Sequence, residues 1–244
     1  MNLDLLARYG QRMLEGLLVT VELVAISIAL GALLALPVAL ARLSKGRLWR
    51  GLSFGYVYFF RGTPLLAQVF LIYYGSGQFR QALTAAGLWW LFRSPFYACL
   101  LAFSLNTAAY QAEIMRGAIR SVPRGQSEAA AALGLRPHQT FIKVIVPQAM
   151  IVALRPFGNE IVLMIKGSAV AAVVTVFDLM GVTRLAFARS FDISVYVWAA
   201  VLYLMLVESL RRGWDRLELR MTRHLGRPAK AAPPSGLSPG AAPA

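Results

Sequence analysis

The chain has 244 residues, of which 58% are hydrophobic, with a formal net charge of +14 and a single cysteine. Soluble domains run to about 45–50% apolar residues, and the excess here is gathered into long, charge-poor runs, which excludes an ordinary soluble helical bundle. One cysteine excludes an intrachain disulfide and a cysteine-based metal cluster; Cys99, set in an apolar run, reads as a small buried hydrophobe.

So much positive charge invites a nucleic-acid reading, but its placement opposes one. Arg42, Lys45, Arg47, Arg50 and Arg61 follow the first apolar run; Arg116, Arg120, Arg124, Arg136 and Lys143 fall in a central polar stretch; Arg211, Arg212, Arg216, Arg220, Arg223, Arg227 and Lys230 follow the last run. The intervening segments hold only the pairs Arg8/Arg12, Arg80/Arg93 and Arg184/Arg189. Heavy and light loops that alternate in this way follow the positive-inside rule. The expected fold is therefore an all-α integral membrane protein with about five transmembrane helices, the N-terminus outside and the C-terminus cytoplasmic.

In chain order, residues 1–16 are expected to form an external amphipathic segment along the membrane surface, with Leu3, Leu6, Tyr9 and Met13 at helical spacing and no cleavable secretory signal. The first span covers residues 17–41. Its Ser27, Gly31 and Ala35 recur every fourth position, a face that permits close helix packing. Glu22, the only charge in the run, is expected to face protein or water, and Pro37 is a candidate kink. Residues 42–51 read as the first cytoplasmic loop. Arg61-Gly62-Thr63-Pro64 then splits the second span into residues 52–60 and 65–77. Such a break either lines a cavity or is a helix joint packed on its neighbours.

Residues 78–94 are expected outside, with Trp89, Trp90 and Phe92 suited to an interfacial belt. The third span, residues 95–115, carries Asn106, Thr107, Tyr110 and Gln111 in its inner half, where they either bond across helices or face a substrate. Glu113 is placed to pair with Arg116 or Arg120. The fourth span, residues 148–176, is the least apolar. Its Arg155, Asn159 and Lys166 are spaced by 4 and 7 and share one stripe, with Glu160 about 100° away. Charged groups at that depth must face a bundle interior or an aqueous cavity. Residues 178–192 read as a second external loop, residues 193–210 as the fifth span and residues 216–244 as a cytoplasmic tail. The tail is Pro-, Ala- and Gly-rich and expected to be disordered from about residue 226.

The central stretch SEAAAALGLRPHQTFIKVIVPQ (residues 127–148) is the most informative. Pro123 suits a first helical turn, the Ala-rich residues 126–133 favour helix, Gly134 suits a left-handed C-terminal cap, and Pro137 starts a second helix running to Val146, before Pro147 opens the fourth span. The expected product is two short helices joined by a sharp bend, with Ala129, Ala130, Ala132 and Leu133 forming a face that a partner approaches closely. Glu128 lies in the first turn, where the helix dipole favours a negative charge.

Glu-Ala-Ala, three residues, Gly, nine residues and an apolar-x-apolar-Pro unit resemble the EAA loop of bacterial ABC importer permeases. Glu128, Ala129, Ala130, Gly134 and Pro147 carry the match, with Val144 and Val146 where Ile and Leu are favoured. FRGTPLLAQVFLIYYG (residues 60–75), NTAAYQAEIMRGAIRSVPRGQ (residues 106–126) and RPFGNEIVLMIKGSAV (residues 155–170) are similar to the polar amino acid uptake family, in particular to its histidine/arginine/ornithine/opine-like subgroup. The resemblance covers about residues 16–215 and implies a transmembrane permease domain over residues 17–215.

By that resemblance, Glu128, Ala129, Ala130, Gly134 and Pro147 form the cytoplasmic coupling-helix loop. The implied partners are an ABC ATPase dimer, a second homologous permease subunit in a heterodimer, a periplasmic amino-acid-binding protein, the amino acid substrate and the lipid bilayer of the bacterial inner (cytoplasmic) membrane. Nucleic acid is not among them. The chain has no G-x-x-x-x-G-K-[ST] phosphate loop, so it is expected to be a transporter subunit and no enzyme, with no cofactor of its own and with ATP and Mg used by the partner ATPase. A basic amino acid needs a carboxylate partner in the membrane. Glu160 is the best-placed acid, with Asn159, Thr63, Gln68, Asn106 and Tyr110 in the same candidate pathway. Lys166 either holds the substrate carboxylate or pairs with Asp178 or Glu160; it and Gly167 depart from the His and the acidic residue of related patterns. A stand-alone secondary transporter or channel is the alternative, with only Glu22 and Glu160 as coupling acids. A membrane-embedded enzyme lacks a residue cluster, the histidines being His138 and His224 alone.

Overall fold

The computed structural model describes residues 3–223, with side chains from Ala7 onward. Every regular element among these is helical. Helix α1 (Leu3–Leu43) is followed by α2 (Arg47–Gly62) and α3 (Leu65–Tyr73), then a tight turn at Gly75–Phe79 and the short α4 (Arg80–Ala85) and α5 (Trp89–Arg93). Helix α6 (Pro95–Ser121) leads to α7 (Arg124–Ala132) and α8 (Pro137–Thr140), and a wide turn at Phe141–Ile145 feeds α9 (Val146–Gly167). A narrow turn at Ser168–Val174, α10 (Leu179–Ser190) and α11 (Ser194–Thr222) complete the chain.

Helix α6 is the axis of the molecule. Ala98, Cys99, Ala102, Phe103, Thr107, Ala108, Ala109 and Ala112 on it are all fully buried, enclosed by α1, α2, α3 and α9. Small side chains around so much of its circumference let neighbouring backbones approach closely, which is how helices associate where lipid supplies no hydrophobic drive. Helix α1 answers with its own narrow stripe: Ser27, Gly31, Ala35 and Ala39 are buried together, the last two packed on Ala112. At Gly31 the fit is absolute, since a Cβ there would lie 2.4 Å from Thr107 Cγ2. The expected small-residue face of the first span is thus the α1–α6 contact.

The other faces of these helices are apolar and open. Leu18, Leu33, Leu36 and Leu40 on α1, Leu71 on α3 and Leu204 and Met205 on α11 are exposed. Apolar surface on this scale marks contact with lipid or protein. Three continuous helical stretches, Ala7–Leu43, Pro137–Val174 and Ser194–Thr222, are long and apolar enough to cross a membrane.

Several sequence boundaries move. No break separates residues 16 and 17: α1 runs unbroken for 41 residues, about 60 Å at 1.5 Å per residue, and its buried face continues through Tyr9, Met13 and Gly16. The loop expected to be the first cytoplasmic one shrinks to Ser44–Gly46 as unwound chain because α2 begins at Arg47. Glu22 lies exposed on the outer face of α1, outside this chain's core.

The largest correction concerns residues 178–192, which are helix α10. Asp178 caps it, accepting from the Gly181 N–H at 2.8 Å, and Phe191 closes it in the left-handed region at φ 52. Leu179, Val182, Thr183 and Ala186 recur at helical spacing and pack against α1 and α11. Arg184, whose guanidinium donates to Ala172 O at 3.1 Å, and Arg189 are exposed and interrupt the apolar pattern in the sequence. Asp178, read as an external residue able to pair with Lys166, is fully buried in this cap. Helix α11 also continues past residue 216 to Thr222, and the tail from residue 226 lies outside the described residues.

Replacing Gly31 with Val overfills the α1–α6 contact and is expected to cost about 1–3 kcal/mol, read as a lowered unfolding midpoint in detergent. Ala32→Val, on the exposed side of the same helix, should stay within about 0.5 kcal/mol of wild type.

Candidate functional site

Two constructions stand out: the hairpin at the end of α6, and a chain of polar side chains buried where the split α2–α3 element meets α6 and α9.

The hairpin forms as its residues dictate. Pro123 precedes α7 in extended conformation, and α7 ends in a full Schellman motif. The Gly134 N–H donates to Ala131 O at 2.9 Å and the Leu135 N–H to Ala130 O at 3.1 Å, with Gly134 at φ +78. No atom lies within 4 Å of where a Gly134 Cβ would sit, so backbone conformation, not crowding, demands glycine there. The turn into α8 is held by the Arg136 N–H donating to Gln139 Oε1 at 3.0 Å. Gln148 Nε2 donates to Gln126 Oε1 at 3.1 Å and ties the hairpin back to α9.

Glu128 and Ala129 are exposed on this tip, and Leu133 is 82% exposed, a large apolar side chain held out in the open. Ala130, by contrast, faces inward and is buried, so it packs the hairpin and takes no part in the exposed face. Pro147 does not open a separate helix. The chain is helical without interruption from Pro137 to Val174, and the turn at Phe141–Ile145 is a π-helical widening in which the Val146 N–H reaches back to Phe141 O. A proline inside a helix removes one i→i−4 bond and crowds the preceding turn; the widened turn just before Pro147 relieves both. The second arm of the hairpin, from Pro137, and the fourth span are thereby one continuous rod.

In the polar chain, the split at Thr63-Pro64 frees backbone carbonyls that α2 and α3 do not satisfy. Gln68 Nε2 donates to Phe60 O at 2.9 Å, Thr63 O at 3.1 Å and Thr63 Oγ1 at 2.8 Å. Asn106 Nδ2 donates to Phe60 O at 3.1 Å and to Gln68 Oε1 at 2.9 Å. Tyr56 Oη donates to Leu105 O at 2.6 Å and pins α2 to α6 just above. Backbone groups left bare at this depth cost several kcal/mol each, about as much as the whole packing of a small contact, so Thr63, Gln68 and Asn106 serve first to seal the joint.

A second branch crosses three helices. Gln111 Nε2 on α6 donates to Ile28 O of α1 at 3.2 Å and to Thr107 Oγ1 at 3.1 Å, and Thr107 Oγ1 donates to Glu160 Oε1 of α9 at 3.0 Å. Glu160 is buried, and with Asn106, Tyr110, Leu65, Leu163 and Met164 it lines a hollow of about 210 Å³. Of the seven expected pathway residues, the fold therefore gathers Thr63, Gln68, Asn106, Tyr110 and Glu160.

Asn159 and Lys166 are not part of it. Asn159 is exposed on the α11 side of α9, in a separate hollow of about 440 Å³ with Arg155 and Trp214. There Arg155 Nε donates to Glu218 Oε1 at 2.6 Å and Trp214 Nε1 to Leu154 O at 2.8 Å. Lys166 is exposed and forms no ion pair with Glu160 or Asp178. The stripe read from their spacing is real, but it faces away from Glu160. Near the C-terminal end of α6, Glu113 pairs with Arg116, as expected, and with Arg42 of α1 at 3.4 Å, while Arg120 takes no part. Sequence reasoning named Thr107 and Gln111 as polar but missed their role as the link from α1 to Glu160. Their i, i+4 spacing was the available signal.

Residues 27–222 match the family described as binding-protein-dependent transport system inner membrane component. The chain belongs to this permease family. It is 41% identical over 207 residues to the nopaline transport system permease protein NocM of Agrobacterium fabrum, covering 84% of this chain and 86% of that protein. It is 40% identical over 152 residues to the arginine ABC transporter permease protein ArtM of Escherichia coli, covering 62% and 68%. Among solved structures, an amino acid ABC transporter crystallised with histidines superposes with a TM-score of 0.81 at 29% identity, over 90% of this chain and 99% of the other. The inward-facing MetNI methionine transporter, 20% identical, shares the fold at a TM-score of 0.71. The chain is thus a membrane permease subunit and no ATPase. In this family an ATPase and a binding protein are separate partners.

Within this permease, Gly134→Ala forces a Cβ into the left-handed region and is expected to destabilise the hairpin by about 1–2 kcal/mol, seen as faster amide hydrogen exchange across residues 130–135. Gly125→Ala, in helical backbone with open space around it, should instead be neutral or stabilising by up to about 1 kcal/mol.

Proposed function

We propose that this permease carries a basic amino acid or an opine across the bacterial cytoplasmic membrane. In this reading it works in a heterodimer with a homologous permease, receives substrate from a periplasmic binding protein and is driven by an ATPase dimer that uses ATP and Mg. Five spans, with the N-terminus outside and the hairpin and C-terminus in the cytoplasm, account for the distribution of basic residues. The observation that carries the substrate reading is the buried Glu160 carboxylate, held through one oxygen by Thr107 at the edge of a hollow. A carboxylate in such a place suits a cationic ligand, because an unpaired buried charge is costly. The names of the nopaline, octopine and arginine permeases among its relatives support the same class.

Transport follows by alternating access. The exposed tip at Glu128, Ala129 and Leu133 sits in a groove of the ATPase, and closure of the ATPase pushes on it. Gly134 sets the bend, and the continuous rod through Pro147 carries the push into α9, where Glu160 lies. A rigid element with two arrangements is what coupling requires, and moving Glu160 relative to α6 changes the hollow's access from one side to the other.

Two experiments address the two halves of this reading. In a reconstituted complex, Glu160→Gln is expected to raise the concentration of cationic substrate needed for half-maximal uptake by at least about tenfold; unchanged affinity and selectivity would remove Glu160 from the pathway. Gly134→Asp is expected to abolish substrate-stimulated ATP hydrolysis while membrane insertion proceeds normally, and full stimulation would refute the docking of the hairpin.

A further inference from the structure

Beyond the hollow at Glu160 lies a second one of about 300 Å³, lined in part by Arg61, Tyr110, Glu113, Val152 and Pro156. Tyr110 borders both hollows. Arg61 sits in the last turn of α2, where a cation complements the helix dipole, but its side chain does more than cap. Its guanidinium lies over the Tyr110 ring, 5.1 Å from the ring centroid. It is exposed, and no acidic side chain among the described residues lies within 4.0 Å of it. The one carboxylate in its hollow, Glu113, is taken by Arg42 and Arg116. Tyr110 also borders the hollow of Glu160, so a guanidinium with open donors and a carboxylate with one committed oxygen line two hollows that share a tyrosine ring.

We propose that Arg61 binds the α-carboxylate of the transported amino acid while Glu160 holds its cationic end, with the Tyr110 ring between them. The proposal rests on the reading of Glu160 as the partner of the substrate cation and adds the other pole. A free amino acid with a basic side chain carries both charges on one flexible molecule, and a site with one charge of each sign recognises that dipole. Arginine's planar fork suits a carboxylate, which it can bind through two parallel hydrogen bonds. Its backbone is anchored for the purpose: the carbonyl of Phe60, the preceding residue, accepts from both Gln68 and Asn106. Those two residues therefore act as positioning residues, fixing the point from which the long side chain reaches. Lys166, the other cation considered for this role, lines neither hollow.

The test uses the complete membrane complex in lipid nanodiscs, without its binding protein. Equilibrium binding is measured for L-arginine, octopine and nopaline, and for the same compounds with the α-carboxylate converted to an amide. Wild type is expected to prefer the acid over its amide by roughly ten- to a hundredfold, the range for a hydrogen bond between charged groups. Arg61→Gln should lose this preference by weakening the acid alone, while still holding the amide at wild-type affinity, which a misfolded variant does not do. Arg61→Lys should recover part of it, and Glu160→Gln should weaken acid and amide alike. An undiminished preference in Arg61→Gln overturns the role of Arg61 and leaves that of Glu160 standing. Loss of both ligands in Arg61→Gln and Arg61→Lys assigns Arg61 to the framework and overturns it as well. Wild-type binding in Glu160→Gln, or a wild-type complex that holds none of the three acids, overturns both.

Discussion

Thr107 faces two ways, and the rest of the molecule is arranged around that fact. Its methyl group occupies the space that a side chain at Gly31 would need, so the approach of α1 to α6 is set at this level. Its hydroxyl donates to Glu160 on α9 and accepts from Gln111, which also reaches the α1 backbone at Ile28. One side chain thus joins the close packing that assembles the helices to the polar chain that orients the buried acid. Within lipid, helices gain little from burying more apolar surface, and close contact between small residues with a few interhelical hydrogen bonds is what remains to specify the bundle. Packing and polar bonding share the same residues because the membrane offers few other means of holding a polar group in place.

The same constraint explains the split between α2 and α3. A broken helix at membrane depth is tolerated only when its freed carbonyls find donors. Gln68 and Asn106 supply them with side-chain amides, each of which bonds both to the backbone and to a polar side chain. The cavity and joint readings of the break are therefore compatible: Asn106 seals the joint on one side and lines the hollow on the other. Arg61, just before the split, inherits a fixed origin from this arrangement. At the other end of α6, the second arm of the hairpin joins α9 through a helix continuous from Pro137. The π-helical turn ahead of Pro147 accommodates the proline where a kink or a break is the usual result.

Local signals were legible wherever one residue's chemistry admits a single backbone solution. Gly134 falls in the left-handed region because it closes an Ala-rich helix without a Cβ, and the buried face of Ser27, Gly31 and Ala35 packs closely because no side chain fits at Gly31. The reading failed where a pattern was masked or where it reported spacing without direction. Charges at Arg184 and Arg189 hid the buried face of α10. Asn159 and Lys166 share a stripe, as their spacing requires, but a stripe carries no information about which neighbour it faces, and here it faces away from Glu160. Ala130 belongs to the EAA signature yet points inward, because successive residues on a helix turn by about 100° and the signature does not say which of them meets a partner.

The linear order of residues determined the class of the molecule: apolar runs of bilayer length, basic segments alternating with neutral ones, and a bent helical pair between two spans. Each follows from short-range chemistry, in hydropathy, charge and the backbone limits of glycine and proline, which operates before any helix meets another. Only the tertiary structure decided which polar groups meet. That Glu160 is reached through Thr107 and Gln111 from α1, that Gln68 and Asn106 close the α2–α3 joint, and that Arg61 lies over the Tyr110 ring bordering the Glu160 hollow depend on helix rotations and separations that are set jointly by every contact in the bundle. Those contacts join residues dozens of positions apart, and no local periodicity encodes them.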